Sequence, residues 1–353
     1  MQHAGLLVLL ILMICVALGG IVWLIGDMVS SVPKRETQRV SAQLPTQAPT
    51  QAPTEAPTEP PKLVEYPVTD AGTELLPPAI TSGYAVLLDV DENRIVGEKF
   101  ADVRMYPASM TKLMTLIVAI ENTEDLDDTY TFTEEELAPL IEQNASRAGF
   151  DPGETVTITD LLYGAALPSG ADATHALAVH TAGSEEAFVQ LMNEKVEAMG
   201  LTDTHFMNAS GLHDPDHYST ALDMALILEY CLRNDLCREV ISTYTYTSGA
   251  TEQHPEGIEM YDTMFGKMYG TEVEGITILG GKTGFTDEAG HCLASYARTP
   301  DGHTYIAVTA MGQTKWKPVF EAFKLYGIIT GTYPMEDLTE ETPSDAFTEI
   351  PAA

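Results

Sequence analysis

Ser109 and Lys112 are the residues whose types and spacing most clearly indicate chemistry. They lie three positions apart in Ser109-Met-Thr-Lys112, at the start of an apolar segment with helical patterning. Residues at i and i+3 share one face of a helix, so the lysine amine can reach the serine oxygen. A lysine whose pKa is lowered by burial can activate a serine nucleophile. The spacing alone is a weak signal, because Ser31-Val-Pro-Lys34 has it too.

Two later segments carry the same kinds of group. Lys282-Thr-Gly284 lies between apolar stretches and is flanked by glycines, which indicates an edge strand that a substrate backbone can approach closely. Ser169 lies in Leu167-Pro-Ser-Gly, a short turn between two helical segments. Together the three segments supply two serine hydroxyls and two lysine amines.

In this order, Ser-x-x-Lys, Ser-Gly-x and Lys-Thr-Gly form the pattern of the active-serine, penicillin-recognising enzymes. The chain resembles the D-alanyl-D-alanine carboxypeptidases, the low-molecular-mass penicillin-binding proteins, from about Tyr84 to about Tyr333. Ser169 is preferred over the other Ser-Gly pairs because it follows Ser109 by 60 residues in a Leu-Pro-Ser-Gly-x-Asp-Ala context. Phe206–Ala221 and the residues that follow Lys282 also resemble this family.

The resemblance implies a role for each motif residue. Ser109 would attack the substrate carbonyl and form an acyl-enzyme, with Lys112 as its base. Ser169 and Lys282 would pass a proton to the leaving amine, and the backbone N–H groups of Ser109 and Phe285 would stabilise the oxyanion. The substrate-binding residues would be Lys282, Thr283, Gly284 and Phe285. The resemblance implies neither a metal ion nor a cofactor.

The expected function is a serine-type D-Ala-D-Ala carboxypeptidase that removes the terminal D-alanine from peptidoglycan pentapeptides and is inhibited covalently by β-lactams. Two alternatives stay open: a serine β-lactamase, and a catalytically weak penicillin-binding module. A β-lactamase needs a water-activating carboxylate between the second and third motifs, where helical patterning places Glu185, Glu186 and Glu194 on an exposed face. Ala171 stands where the family usually has asparagine, which leaves catalytic efficiency open.

The pattern of elements predicts an α+β fold in which an antiparallel sheet is covered by helices, with a helical subdomain. This agrees with the transpeptidase/β-lactamase-like fold that the resemblance implies. The catalytic helix is expected to begin at Ser109. The predicted strands are Tyr84–Val90, Arg94–Lys99, Gly275–Lys282, Cys292–Arg298 and Thr304–Met311. The other predicted helices are Thr159–Ala166, Ala171–Ala182, Glu185–Met199, Ala221–Asn234 and Trp316–Thr330.

Four regions are expected along the chain. Residues 1–26 contain the charge-free stretch Ala4–Gly26, long enough at ~1.5 Å per residue to cross a ~30 Å hydrocarbon core. We favour an uncleaved, single-pass membrane anchor over a cleaved signal, with the catalytic domain outside the cell. Residues 27–63 form a Pro/Thr-rich disordered linker. It is equally consistent with a stalk that lets the domain reach a polymer away from the membrane and with an arbitrary disordered tether. Residues 64–335 form the catalytic domain, and residues 336–353 an acidic tail.

Charge excludes one class of partner. The net charge is −34, from 18 Lys+Arg against 52 Asp+Glu, whereas nucleic-acid binding demands a basic surface. The acidic, histidine-containing loop from His213 to His217 lacks the spacing of known metal sites, so we expect a hydrogen-bonded turn there.

The four cysteines do not suggest a disulfide framework. Cys15 lies in the apolar N-terminal stretch and Cys292 in a predicted strand. Cys231 and Cys237 lie six apart in what reads as one helical stretch, which would place them on different faces. We therefore expect buried free thiols.

Overall fold

The computed structural model describes residues 63–268 and 273–333. The expected anchor, nearly all of the linker and the whole acidic tail lie outside these residues. Across the described part of the chain, no helix combines the length and apolarity needed to cross a membrane.

The described residues form an α+β fold, as expected. The strands are β1 (Glu74–Leu75), β2 (Tyr84–Asp89), β3 (Arg94–Lys99), β4 (Thr129–Thr131), β5 (Thr155–Thr157), β6 (Thr245–Thr247), β7 (Glu259–Tyr261), β8 (Thr277–Thr286), β9 (Gly290–Arg298) and β10 (Thr304–Gly312). The helices are α1 (Lys112–Asn122), α2 (Glu134–Glu142), α3 (Ile158–Ala166), α4 (Ala171–Ala182), α5 (Glu185–Met199), α6 (Ala221–Arg233), α7 (Asp235–Ile241) and α8 (Lys317–Thr330).

The main sheet has six strands in the order β1-β3-β2-β10-β9-β8. The five longer strands pair antiparallel, as expected, whereas the two-residue β1 pairs parallel with β3, so the sheet is mixed. β8 is an edge strand, as the sequence predicted. It ends at Thr286, four residues beyond the predicted end at Lys282, and so contains the whole Lys-Thr-Gly motif. β4–β5 and β6–β7 form separate two-stranded ribbons that the sequence analysis did not find.

Both faces of the sheet are buried, and β2 shows why. Its side chains alternate, so Val86 and Leu88 join the larger apolar core while Ala85 and Leu87 join a smaller one. The smaller core lies beneath α8, which packs on β9 and β10. The larger core lies beneath α6, on the opposite face, and continues into the helical region.

Helix α1 runs through the centre of that helical region. It contacts α3, α4, α5, α6 and α7, and its residues from Lys112 to Ala119 are all buried. A helix that is apolar all round is stable only inside a core. The catalytic segment is therefore anchored at one end of a deeply buried helix, against β8.

The expectation of free thiols at Cys231 and Cys237 was wrong. They form a disulfide with a Cα–Cα distance of 5.7 Å. The predicted helix Ala221–Asn234 ends one residue earlier, at Arg233, and Asn234 accepts a hydrogen bond from the N–H of Cys237 to cap α7. Because the chain turns at Asn234, the two cysteines lie on different helices that face each other. Cys292 is buried and free, as expected.

Candidate active site

Ser109 and Lys112 meet at a tight turn. Ala108–Thr111 form a 3-10 turn and α1 begins at Lys112, three residues later than the predicted helix start. Lys112 Nζ lies 3.0 Å from Ser109 Oγ and donates to the Ser210 carbonyl oxygen at 2.6 Å. Burial, with the nearby charge of Lys282, holds the pKa of Lys112 well below its ordinary value. A neutral amine within reach of a serine hydroxyl is a base ready to accept its proton.

Close backbone packing holds this turn. Ala108 has a φ of +46°, a left-handed conformation that costs a non-glycine residue free energy. Gly211 packs directly on it: a Cβ there would lie 2.0 Å from the Ala108 carbonyl oxygen. On the other side, a Cβ on Gly284 would lie 3.0 Å from the Ser109 nitrogen. The serine is thus packed between the Phe206–Ala221 segment and β8. The contact at Gly211 requires glycine, and the contact at Gly284 leaves little room for a side chain.

Ser169 and Lys282 form a second hydroxyl–amine pair. Lys282 Nζ donates to Ser169 Oγ at 2.9 Å and to the Thr283 carbonyl oxygen at 3.1 Å. Burial lowers the pKa of Lys282, while the negative charge of Asp262 opposes that effect. Ser169 itself has a left-handed φ of +65°. Both predicted pairs are therefore formed in the structure, and the second joins residues 113 positions apart in the sequence.

Hydrogen bonds from the backbone hold the turn that carries Ser169. The buried Asp172 carboxylate accepts from the N–H groups of Ala148 and Gly149, at 2.8 and 3.0 Å. The N–H of Ala171 donates to the Ser146 carbonyl oxygen at 2.7 Å. Ala171 is 3% exposed, so the position that usually carries asparagine is here part of the packed interior.

The two pairs open into one cleft of ≈ 230 Å³. Ser109, Ser169, Thr283, Gly284 and Phe285 line it, which places five of the seven predicted site residues on its wall. Lys112 and Lys282 lie behind that wall, each bonded to its serine. The cleft is also lined by residues that the sequence analysis missed: Ser146, Pro168, Thr263, Lys267, His291, Cys292, Lys315, Pro318 and Val319.

Lys267 and Lys315 are the most informative of the missed residues. Burial is the main cause that lowers the pKa of His291 and of Lys267. The charges of Lys267 and Lys315 lower the pKa of His291 further, and the charge of Lys315 lowers that of Lys267, so the three groups lie close together. The chain has only 18 Lys+Arg, which is the signal that could have drawn attention to lysines near the third motif. The positive charge gathered here suits an anionic ligand.

His217 supports the catalytic turn from below. Its Nδ1 accepts from the N–H of Met207 at 3.1 Å, so its Nε2 carries the proton and donates to Thr111 Oγ1 at 2.7 Å. Burial lowers the pKa of His217 to about 4, so the ring stays neutral at physiological pH. Both ring nitrogens of His217 therefore form hydrogen bonds within the protein. His217 belongs to the loop from His213 to His217 that the sequence analysis expected to be a hydrogen-bonded turn.

The three glutamates weighed as β-lactamase bases do not line the cleft. Glu186 and Glu194 are exposed, as expected. Glu185 is not simply on an exposed face: it accepts from the Ala209 N–H at 3.1 Å and lies 3.3 Å from His175. This contact links α5 to the loop that carries Ser210.

The family model for D-alanyl-D-alanine carboxypeptidases matches residues 71–314, more than half of the chain and every motif described above. The chain belongs to the D-alanyl-D-alanine carboxypeptidase family. The resemblance inferred from the three motifs is thereby confirmed.

Individual members of this family give the same result. The chain is 34% identical over 218 residues to D-alanyl-D-alanine carboxypeptidase DacF of Bacillus subtilis, covering 61% of this chain and 53% of the relative. It is 34% identical over 251 residues to DacA of Haemophilus influenzae, covering 68% of this chain and 59% of the relative. The chain thus spans between half and three fifths of the length of these curated relatives.

Solved structures related to this family share the fold. The Streptomyces K15 DD-transpeptidase aligns with a TM-score of 0.65 at 27% identity, over 71% of this chain and 97% of that one. Penicillin-binding protein 5 of Haemophilus influenzae aligns with a TM-score of 0.64 at 31% identity, over 71% of each chain. The predicted transpeptidase-like fold is confirmed.

Proposed function

We propose that this protein is a serine-type D-Ala-D-Ala carboxypeptidase that trims the terminal D-alanine from peptidoglycan stem pentapeptides. The observation that carries the proposal is the pairing of a buried lysine of lowered pKa with Ser109 at 3.0 Å, beside a second lysine–serine pair on the same cleft. Family membership and relatives named as D-alanyl-D-alanine carboxypeptidases support it.

Acylation begins at Ser109. The neutral amine of Lys112 accepts the hydroxyl proton while Ser109 Oγ attacks the carbonyl carbon between the two D-alanines. Negative charge develops on the carbonyl oxygen, and the backbone N–H groups of Ser109 and Phe285 are the proposed donors, each worth ~3 kcal/mol in such a site. Because β8 packs against the catalytic turn at Gly284, these donors belong to two segments held in contact.

The leaving D-alanine needs a proton on its amine. Lys282 donates to Ser169 Oγ, so the Ser169 hydroxyl can deliver its own proton to the amine and recover one from Lys282. The C–N bond then breaks, D-alanine leaves, and the stem tetrapeptide stays esterified to Ser109. Before hydrolysis, the proton that Lys112 took from Ser109 passes on to Lys282, so that Lys112 is neutral and Lys282 charged again. Water then attacks the ester and gives a proton to Lys112, which passes it to Ser109 Oγ as the ester C–O bond breaks. The tetrapeptide leaves as a carboxylate and Ser109 is restored.

The substrate's free carboxylate determines the direction in which the substrate lies in the cleft. We assign it to Thr283 and the adjoining positive charge, with Lys282 behind and Lys267 and Lys315 at the wall. A carboxylate bound among cations is a charge-assisted contact, stronger than a neutral hydrogen bond. β-Lactams carry a carboxylate and a strained amide, so they would acylate Ser109 from the same position.

A serine β-lactamase is the less favoured alternative. Glu185, Glu186 and Glu194 do not line the cleft, and Glu185 is bonded to Ala209 and His175. Without a carboxylate to activate water, the penicilloyl ester is expected to be long-lived. A catalytically weak binding module would form the same adduct without releasing D-alanine.

The decisive experiment combines two measurements on the full-length protein. Fluorescent penicillin is expected to label the wild type covalently, and a stem pentapeptide is expected to lose one D-alanine. Ser109→Ala should abolish both, whereas Ser31→Ala, in the other tetrapeptide with this spacing, should change neither. Labelling that survives Ser109→Ala would refute the assignment of the nucleophile. Fast β-lactam turnover without D-alanine release would favour the β-lactamase.

We also propose that residues 1–26 anchor the protein in the cell membrane as a single pass, with the catalytic domain outside. The charge-free stretch Ala4–Gly26 supports this, as does the Cys231–Cys237 disulfide, because disulfides persist in oxidising compartments. Protease added to intact cells should digest the catalytic domain. The same domain retained in the cytoplasm, as the control, should stay protected. Recovery of the full-length protein in the soluble fraction would contradict the anchor.

A further inference from the structure

The short segment Asp262–Lys267 connects the second and third motifs. The N–H of Thr263 donates to the carbonyl oxygen of Leu167, in the turn that carries Ser169, at 3.2 Å. Its hydroxyl lies 2.5 Å from the hydroxyl of Thr283 in β8. Lys267 Nζ folds back and donates to the Thr263 carbonyl oxygen. Thr263 is therefore hydrogen-bonded through its N–H, its carbonyl oxygen and its hydroxyl. The last of these bonds orients the Thr283 hydroxyl on the wall of the cleft.

Asp262 holds this segment in shape. Its Oδ1 accepts from the N–H groups of Met264 and Phe265, each at 2.8 Å, which caps the turn that follows. Its own N–H donates to the Tyr244 carbonyl oxygen at 2.9 Å. The side chain is only 3% exposed, although a buried carboxylate is costly unless nearby charge offsets its desolvation.

That offsetting charge comes from the catalytic cleft. Burial raises the pKa of Asp262, while the positive charges of Lys282 and Lys267 act to lower it. In return, burial lowers the pKa of Lys282, the negative charge of Asp262 raises it, and the positive charge of Lys267 lowers it further. Lys112 also faces Lys282, and the positive charge of Lys282 lowers the pKa of Lys112.

The proposed function requires the two buried lysines to be in opposite states. Lys112 must be neutral to accept the Ser109 proton, whereas Lys282 must be charged to supply a proton and attract a carboxylate. Burial alone pushes both toward neutrality. The two differ in their neighbours. After burial, the largest influence on the pKa of Lys282 is the carboxylate of Asp262, which raises it. For Lys112 it is the ammonium of Lys282, which lowers the pKa and outweighs the opposite, smaller effect of Asp172.

We propose that Asp262 is a positioning residue for the reaction: its buried carboxylate stabilises the ammonium form of Lys282, and its capped turn holds Thr263 against Thr283. The proposal rests on the proposed function. It predicts that loss of the charge and loss of the turn have separable effects, because the first acts on protonation and the second on substrate binding.

Asp262→Asn tests the charge. The amide oxygen can still accept from Met264 and Phe265, so the turn is kept while the negative charge is removed. The alkaline limb of the pH profile of kcat/KM for D-alanine release should move to lower pH by about one unit or more, since an opposite charge nearby shifts a pKa by ~1–3 units. Activity on the alkaline side should therefore fall about tenfold, with little change below the limb.

Two further variants make the result specific. Asp262→Ser is also neutral and also caps turns, so it should move the limb in the same direction even where Asp262→Asn folds poorly. Asp223→Asn is the matched control: Asp223 is a buried carboxylate in the first turn of α6 that accepts from the Thr204 hydroxyl, so its loss tests stability without the cleft. It should leave the limb unchanged. Thr263→Val should raise KM and leave the limb in place.

The outcomes discriminate clearly. An unshifted alkaline limb in both Asp262 variants, with penicillin labelling retained, would overturn the proposal. Loss of activity at all pH values by the same factor would show a structural role only. If the wild type forms the penicillin adduct but releases no D-alanine, the proposed function fails. The pH dependence of acylation by penicillin, measured on the same variants, then still decides the role of Asp262.

Discussion

Replacing Ser169 with glycine is expected to yield a more stable protein than replacing it with alanine, although both variants lose the same hydroxyl. Ser169 has a φ of +65°, where a Cβ is strained, and it is 6% exposed. Removal of the hydroxyl takes an acceptor away from the buried amine of Lys282 in both variants. That loss cancels in the comparison, so the difference between the two variants isolates the backbone strain.

The size of the difference follows from two opposing effects. A left-handed conformation costs a residue with a Cβ ~1–2 kcal/mol, which glycine avoids. Glycine in turn gives the unfolded chain ~0.4–1 kcal/mol more conformational entropy to lose. At the midpoints of these two ranges, the net gain of the glycine variant over the alanine variant is about 0.8 kcal/mol, or a rise in Tm of roughly 2–3 °C for a domain of this size.

Thermal unfolding of the two variants, side by side, measures this quantity. The same pair of substitutions at Ser295 is the matched control, because Ser295 lies within β9 with ordinary strand backbone, where alanine should be the more stable. Both Ser169 variants should also lose ~100-fold or more in D-alanine release, as expected for a lost proton relay. If the Tm of the glycine variant is equal to or below that of the alanine variant, the backbone at Ser169 is not strained. If both variants retain activity, Ser169 is not the proton relay.

Three other predictions concern the surroundings of Ser109. Gly211→Ala should abolish penicillin labelling of the folded protein, because its Cβ would lie 2.0 Å from the Ala108 carbonyl oxygen; normal labelling would show that the turn can move freely. The pKa of His217 is lowered to about 4, so the stability it contributes is present above its ordinary value near 6.5 and is lost as the pH falls toward 4. The loss in the free energy of unfolding amounts to roughly 3 kcal/mol. His217→Gln should therefore make the free energy of unfolding in urea less dependent on pH, and an unchanged pH dependence would show that His217 is not its source. Ala171→Asn should slow acylation about tenfold, because a buried amide without partners costs ~1–3 kcal/mol, and a faster mutant would show that the pocket still accommodates asparagine.

The sequence by itself determined the longer helices and strands and the chemistry of the motifs. Ser109 and Lys112 are neighbours because helical geometry brings i and i+3 together, and the glycines around Lys282 indicated an edge strand. The apolar stretches that became β2, β9 and β10 predicted strands of an antiparallel sheet covered by helices. These signals are local, so they can be read along the chain without a structure.

Only the tertiary structure decided what the motifs meet. The Cys231–Cys237 disulfide was missed because it depends on the direction the chain takes after Asn234, which helical spacing does not indicate. The parallel pairing of β1 was missed because two residues carry too little pattern to predict a strand.

The residues that tune the site were missed for a related reason. Asp262 and Thr263 lie some twenty positions before Lys282, in a segment whose sequence resembles no motif, yet they supply its counter-charge and orient its neighbour. His217 was read as one member of a surface turn, but it supports the catalytic turn from inside the protein. Which lysine is neutral and which is charged depends on burial and on charges brought together by packing, and packing joins segments that the order of residues keeps apart.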